Sequence, residues 1–350
     1  MDLIEDTRVV NDFKTSTFSG YKKTEVKLAL LDALRNGKVE NACYWSAELV
    51  CAGHFVDLWD TLLFVLGKYI HHGNPLMVQY YRRRMELFRQ IVNAPGTDLL
   101  DLRNNATIRQ LFAEVAATVA LTEKKPSYEE IQVEPVIITT QLKADRPDYA
   151  SDVMRPLDPK ECVISLNEFC YHVYKTRNMT NACYWMEWLL QFAALCKKNG
   201  APLFCERRDQ YTDVDRRYQK DVIWLVWESI LSYGSQGQNQ IQGQTHATLN
   251  TLFELFRIRY TGHKKRKYLL YFAISLLTEQ VQYNTELVSD MNKDIIRIAT
   301  DNIGEIYKML KPHQQKGSPS LSYSMNEKKQ NLNDSMQKWK LMYEHDAAFL

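Results

Sequence analysis

Four groups of residues in this chain have types that could do chemistry. Two adjacent imidazoles, His71 and His72, stand in "IHHGN", where metal binding or proton transfer would be their use. Cys43 and Cys183 sit in a pentapeptide, "NACYW", that occurs at both 41–45 and 181–185. A thiolate nucleophile there would need an activating base in a cleft. The run "GSQGQNQIQGQ" at 234–244 has the glycine content of a phosphate-cradling loop. Basic residues crowd into "YYRRRMELFR" (80–89) and "GHKKRKY" (262–268). Clusters of that kind neutralise phosphates or meet acidic surfaces.

Each group lacks what its chemistry requires. A structural zinc site needs four close Cys or His ligands, and neighbours on a helix point in different directions. His54, His71 and His72 therefore read as surface or loop residues. Cys43 lies one residue from the core-facing Ala42, so packing accounts for it and for Cys183. No GK[ST] follows the glycine-rich run and no strand precedes it, so it reads as a mobile loop. The chain contains no H-E-x-x-H and no G-x-S-x-G. The basic runs do not fall at equivalent places in the two halves. They read as solvated faces or protein-contacting faces, with Arg82, Arg83, Arg84, Lys264, Lys265 and Arg266 as candidate partner-binding residues. Nucleic acid is a possible but not favoured partner. No catalytic, cofactor-binding or metal-ligating residue is expected, and no cofactor.

The elements that position these residues come from a repeat. From Val26/Leu166 through Leu49/Leu189 the halves align at a constant offset of 140. "DLWDTLLFVLGKY" then meets "DVIWLVWESILSY", "ELFR" at 86–89 meets "ELFR" at 254–257, and "LTE" at 121–123 meets "LTE" at 277–279. The order is the same, and the offset changes only where loops would lie. The pattern predicts one unit of about five helices, copied in tandem. Ala42, Trp45, Leu49 and Ala52 share a helix face by their spacing, as do Ala182, Trp185, Leu189 and Phe192. Trp45, Trp185, Leu49 and Leu189 are thus expected in the core. Asn41 and Asn181 are expected N-caps, "SLNE" (165–168) an expected capping box, and Gly53 and Gly200 expected helix stops.

The resulting layout is all-α, with two pseudo-symmetric bundles. Residues 1–18 form an N-terminal arm, 19–123 the first repeat and 124–160 an extended linker with one candidate strand at "VIITT". Residues 161–311 form the second repeat and 312–333 a flexible linker. Residues 334–350 form a tethered helix with Met336, Trp339 and Tyr343 at i, i+3 and i+7. Trp339 is a further candidate for partner contact.

Composition narrows the class. The 350 residues carry 44 basic and 42 acidic side chains, a formal charge of +2, which does not suggest a nucleic-acid coat. Apolar residues make up 45%, an ordinary globular value. Apolar runs such as "LLFVLG" fall far short of the ~20 residues of a membrane span, so none is expected. The start, "MDLIEDTRVVNDF", has no signal-peptide apolar region. Seven cysteines without a CxxC pair read as reduced, buried thiols.

Two resemblances add to this reading. The stretch "KVENACYWSAELVCAGHFVDLWDTLLFVLGKYIHHGNP" resembles the C-terminal helical domain of the RarA/MgsA clamp-loader-like ATPases. That domain mediates oligomerisation; its ATPase module has no counterpart here. Ala42, Tyr44, Trp45 and Gly53 would be packing and helix-ending positions. More broadly, "FSGYKKTEVKLALLDALRNGKVENACYWSAELVCAGHFVDLW" looks like uncharacterised helical proteins of large nucleocytoplasmic DNA viruses, the mimivirus and phycodnavirus relatives. This second resemblance implies a non-enzymatic structural or interaction protein, a minor capsid component, found in the virion or host cytoplasm. Its partners would be capsid proteins or a second copy. The alternative is a DNA-replication accessory with a collar-like oligomerisation module.

Overall fold

A computed structural model describes residues 3–96, 98–135, 141–234 and 240–315. The expected strand at 136–140, nearly all of the linker at 312–333, and the terminal helix with Trp339 lie outside those residues. The described chain is all-α: thirteen α-helices and no strand, with two isolated bridges. None of its helices is long and apolar enough to cross a membrane. It divides into two compact units.

The first unit takes the described residues up to Tyr69, those of Gln79–Lys124, and those from Glu286 to Gln315. It holds α1 (Lys23–Arg35), α2 (Val39–Cys51), α3 (Phe55–Val65), most of α4 (Met77–Val92), α5 (Leu99–Asn104) and α6 (Ala106–Leu121). It also holds α12 (Asp290–Asp301) and α13 (Ile303–Leu310). The segment 286–311, assigned by sequence to the second repeat, packs instead against α6 and α2. Its apolar stripe supplies the reason: Ile296, Ile303, Tyr307 and Leu310 are buried there, and the Arg109 guanidinium stacks 4.1 Å over the Tyr307 ring.

Residues 3–18 are no appendage, although they read as an arm. Ile4, Phe13 and Phe18 are buried. The Arg8 and Arg103 guanidiniums lie over the rings of Phe13 and Phe18. Asp6 accepts from both arginines, at 2.7 and 3.0 Å. Burial pushes the Asp6 carboxyl up, but the Arg8 bonds and the Arg103 charge outweigh it and hold the pKa below the usual range.

The second unit comprises Ile70–Val78 and Lys125–Thr285. Its helices are α7 (Val163–Tyr174), α8 (Met179–Lys198), α9 (Ile223–Gly234), α10 (Gln240–Arg257) and α11 (Lys267–Thr278). The start of α10 makes the last part of the glycine-rich run helical rather than a loop. The described parts of 125–160 carry no α-helix, yet they are bound to the unit's surface. The Glu168 carboxylate accepts the amides of Lys143 and Ala144, and Asn167 accepts that of Tyr149. "SLNE" is therefore not a capping box. It lies inside α7, and its glutamate is spent on the linker.

Helix ends follow local chemistry. Asn178 caps α8 by accepting from the Asn181 amide at 2.9 Å, so Asn181 itself is inside the helix. The start of α2 lies at Val39, ahead of Asn41. Gly53 and Gly200 end α2 and α8 with φ of +72° and +80°. Each is followed by an amide that reaches back five residues, His54 to Leu49 and Ala201 to Cys196, the Schellman pattern.

The repeated pentapeptide gives two environments. Trp185 is 2% exposed, and Leu49 and Leu189 are buried. Trp45, expected in the core, is only half-buried. In α2 the buried stripe runs through Ala42, Cys43, Ser46, Ala47, Leu49 and Val50, which leaves Trp45 at its margin. In α8 Trp185, Met186, Trp188, Leu189 and Leu190 are all buried. Over 182–190 that helix is covered nearly all round, so the indoles of Trp185 and Trp188 have no open side, whereas 191–198 are largely exposed.

Candidate interaction surface

Trp45 opens onto a groove. Its indole meets Tyr44 and Tyr21 edge-on, at 5.0 and 5.6 Å. Facing it across a cavity of about 890 Å³ are α12, with Ile295, Ile298 and Ala299, and α13, with Asn302, Glu305, Ile306 and Met309. Cys43 and Leu121 also line it, with Lys38 and Glu40 at the start of α2. The groove lies wholly within the first unit.

Its physics is apolar recognition. Ile298 and Met309 are 54% and 58% exposed, and Ile295 is 37% exposed. Amphipathic α12 and α13 bury one face on α2 and α6, and these three side chains stay outside on the groove side, while Met291 is exposed elsewhere on α12. The charges on the lining are Lys38, Glu40 and Glu305. Two of them are engaged at the surface, Lys38 with Asp32 and Glu305 with Lys308. The Cys43 thiol donates to the Ala113 carbonyl at 3.7 Å, and burial pushes its pKa up to about 12. It is a packed thiol, not an activated nucleophile.

The candidate partner-binding residues are scattered by the fold. Arg82 and Arg83 are exposed on α4, and Lys264 and Lys265 are exposed before α11. Arg84 and Arg266 serve the interior instead. Arg84 pairs with Glu114 and lies 5.1 Å over the Tyr80 ring. Arg266 is 6% exposed and donates to the Ile258 carbonyl at 3.4 Å. Arginine's long apolar stem lets it enter packing in this way, which a run of basic letters does not reveal. Trp339 lies outside the described residues.

His71 and His72, read from the sequence as surface or loop residues, lie in the turn after α3, in line with the loop alternative, but His71 is buried there rather than at the surface. A π-helical turn over Leu66–Ile70 ends α3, and His71 follows with φ +46°. The helix is broken there, so the two rings do not diverge but stack at 4.7 Å. Both Nε2 atoms bond the Ser275 hydroxyl, at 3.0 and 2.8 Å, and His72 Nδ1 stands 3.6 Å from Glu279. On paper this is a Ser-His-Glu series. Its hydrogen bonds, however, run the wrong way for nucleophile activation. Ser275 gives its proton to the Phe272 carbonyl at 2.7 Å, so the imidazoles donate to the hydroxyl rather than accept from it. Ser275 is also fully buried. Among the described residues, no three His, Cys, Asp or Glu side chains gather in a way that could hold a metal ion.

A second polar centre was equally hidden. Arg208 is fully buried and bonds both oxygens of Asp158 and both of Glu228. It fastens the loop between α8 and α9 to the unit's body. The one legible signal was "CERRDQ", a charge cluster inside a loop too long to be bare. No family model, curated protein or solved structure matches the chain.

Proposed function

We propose that this chain is a non-enzymatic structural or interaction protein, and that the groove between α2 and α12–α13 is where it holds a protein partner. The observation that supports this reading is the exposure of Ile298 and Met309 beside a half-buried Trp45. Large apolar side chains grouped along one groove are a feature of surfaces that take an amphipathic helix.

The setting rests on the sequence resemblance to helical proteins of large DNA viruses. In that setting the chain is a minor capsid component, present in the host cytoplasm and then in the virion, with capsid proteins or a second copy as its partners. Mass spectrometry of purified virions tests this. The chain is expected in a fixed ratio to the major capsid protein, and Ile298→Asp is expected to lower that ratio. Virions lacking the chain overturn the virion reading.

Tandem duplication belongs to the same proposal. Three things support it: the shared helix order, the paired Schellman ends at Gly53 and Gly200, and the left-handed residues Gly37 and Arg177 at the sequence offset of 140. The exposed Arg82, Arg83, Lys264 and Lys265 favour a second reading, the replication accessory. Filter binding to DNA at low salt tests it, and no retention removes it.

A further inference from the structure

From Lys125 to residue 135 the chain forms neither helix nor strand. It is held to the second unit at four points. The Lys125 amide donates to the Ile70 carbonyl at 3.2 Å. The Tyr128 hydroxyl donates to the Glu279 carboxylate at 2.7 Å, just past the end of α11. The Lys267 ammonium donates to Glu130 at 2.8 Å, and the Ile131 amide donates to the Tyr271 hydroxyl at 3.1 Å.

Among the described tyrosines only Tyr21 and Tyr128 are exposed, at 43% and 46%. Their settings differ. Tyr21 closes a tight turn, its carbonyl accepting from the Thr17 amide at 2.9 Å, and its ring rests edge-on against Trp45. Lys22 and Lys23 follow it. Tyr128 stands in irregular backbone and is followed by the exposed Glu129 and Glu130. Protein kinases select their acceptors by the charge pattern beside them. The Tyr128–Glu279 bond lies at the surface, where water competes for both partners, so it opens at small cost.

We propose that Tyr128 is a phosphorylation site for a protein tyrosine kinase of acidic preference, and that the phosphate unfastens residues 125–131 from the end of α11. The Tyr128 phenol oxygen bonds to the γ-phosphorus of ATP, the bond from that phosphorus to the bridging oxygen breaks, ADP leaves, and the phenol proton passes to the kinase's base. The product carries about −1.5 to −2 charge in place of a donor hydrogen. It therefore repels Glu279 at the spacing where the phenol was attracted. The other charges on the segment are Lys124, Lys125, Glu129 and Glu130. Lys124 is engaged by the carbonyls of Ala120 and Thr122, and Glu130 by Lys267. Lys125 is the cation that opposes release. The segment lies in the second unit, and the groove in the first, so this goes beyond the groove reading and does not rest on it.

The test incubates the full folded chain with ATP and the catalytic domain of an acid-directed tyrosine kinase, and maps phosphate by mass spectrometry. Tyr128 is expected to be modified at least tenfold faster than Tyr21, and Tyr128→Phe to remove that phosphate. Amides of 125–131 should then exchange at least fivefold faster in the phosphorylated chain, while exchange in 163–174 stays unchanged. Glu279→Ala should speed exchange at 125–131 before any phosphate is added, and should shrink the further gain on phosphorylation. The proposal is overturned if Tyr128 stays unmodified in the folded chain, whether or not a free peptide of 122–135 is accepted. It is equally overturned if Tyr21 is modified as fast. Unchanged exchange at 125–131 after modification would mean that Lys125 keeps the phosphate docked, and would overturn the release.

Discussion

His72 Nε2 lies 2.8 Å from the Ser275 hydroxyl, and that hydroxyl's proton is already committed to the Phe272 carbonyl. His71 Nε2 shares the same oxygen at 3.0 Å. One oxygen accepting from two rings makes both rings neutral Nε2–H tautomers. His72 Nδ1 stands 3.6 Å from the Glu279 carboxylate, beyond hydrogen-bond distance. Tyr128 donates to the other Glu279 oxygen at 2.7 Å, which fastens the segment after Lys125 to α11. Structural cohesion, rather than catalysis, is what this arrangement provides.

Neutrality has a pH consequence. Burial, joined at His71 by the neighbouring His72 and Lys125, lowers the two pKa values to about 3 and about 4. At His72 the Glu279 charge opposes burial without overcoming it. The unfolded chain takes up these protons near its ordinary value of 6.5, and the folded chain does not until pH 4 or 3. The stabilisation is thus complete above pH 6.5 and declines as pH falls from there toward 4. His54, His172 and His263 are also lowered by burial and add to the slope. Urea denaturation should show lower stability at pH 5 than at pH 7, with His71 and His72 contributing on the order of 2 kcal/mol each and the other three adding in the same direction. His71→Asn with His72→Gln should flatten the slope, and an unchanged slope would sink this account of the pair.

What the sequence revealed and what it hid divide along a physical line. Helix order, the all-α class and the glycine stops depend on local chemistry and on periodicity, which adjacent letters carry. The partner of each face does not. "NACYW" reads identically twice, yet Trp185 is enclosed while Trp45 faces a groove, because residues far along the chain decide what covers the outer side of each helix. The segment 286–311 showed its amphipathic pattern but not which unit it would pack on. The stacking of the paired imidazoles was missed for a different reason. A π turn and one left-handed residue reversed the helix geometry on which the argument stood.

The two tryptophans should respond differently to truncation. Trp185→Ala removes a fully buried indole and is expected to cost ~3–5 kcal/mol. Trp45→Ala removes one already half in water, so on the order of 1 kcal/mol is expected. Urea denaturation monitored by circular dichroism separates them. Equal losses at both sites would mean that Trp45 is sealed in solution, which would overturn its reading as a groove residue.

Arg208 is the residue whose loss the second unit should tolerate least. It neutralises Asp158, which is itself fully buried, through a two-pronged contact at 2.8 and 2.9 Å. Burial raises the Asp158 pKa, but the Arg208 bonds and the amides of Arg155 and Glu206 hold it below the usual carboxylate range. Arg208→Met strands that carboxylate and should cost ~3–5 kcal/mol. Arg208→Lys keeps the charge but lacks the planar fork, and should recover only part of the loss. Full recovery with lysine would show that charge alone, without geometry, holds the loop.

Arg177 offers a test of descent from one repeated unit. It follows α7 with φ +48°, and Gly37 follows α1 with φ +72°, 140 residues earlier. Glycine takes the left-handed region freely, whereas a residue with a Cβ is strained there by ~1–2 kcal/mol. The Arg177 side chain is exposed. Arg177→Gly therefore relieves strain, offset in part by the greater freedom glycine has in the unfolded chain. A net stabilisation of up to ~1 kcal/mol is expected. At Gly37 an added Cβ would meet the Ala120 carbonyl at 3.5 Å, an ordinary contact. Gly37→Ala should thus incur the strain, offset in part by the smaller freedom of alanine in the unfolded chain, for a net loss of ~0.5–1 kcal/mol. Opposite signs at the two sites in matched denaturation curves are the expected outcome. A clear loss from Arg177→Gly would mean that the turn after α7 is held by its arginine, and that the two turns are alike in shape but not in cause.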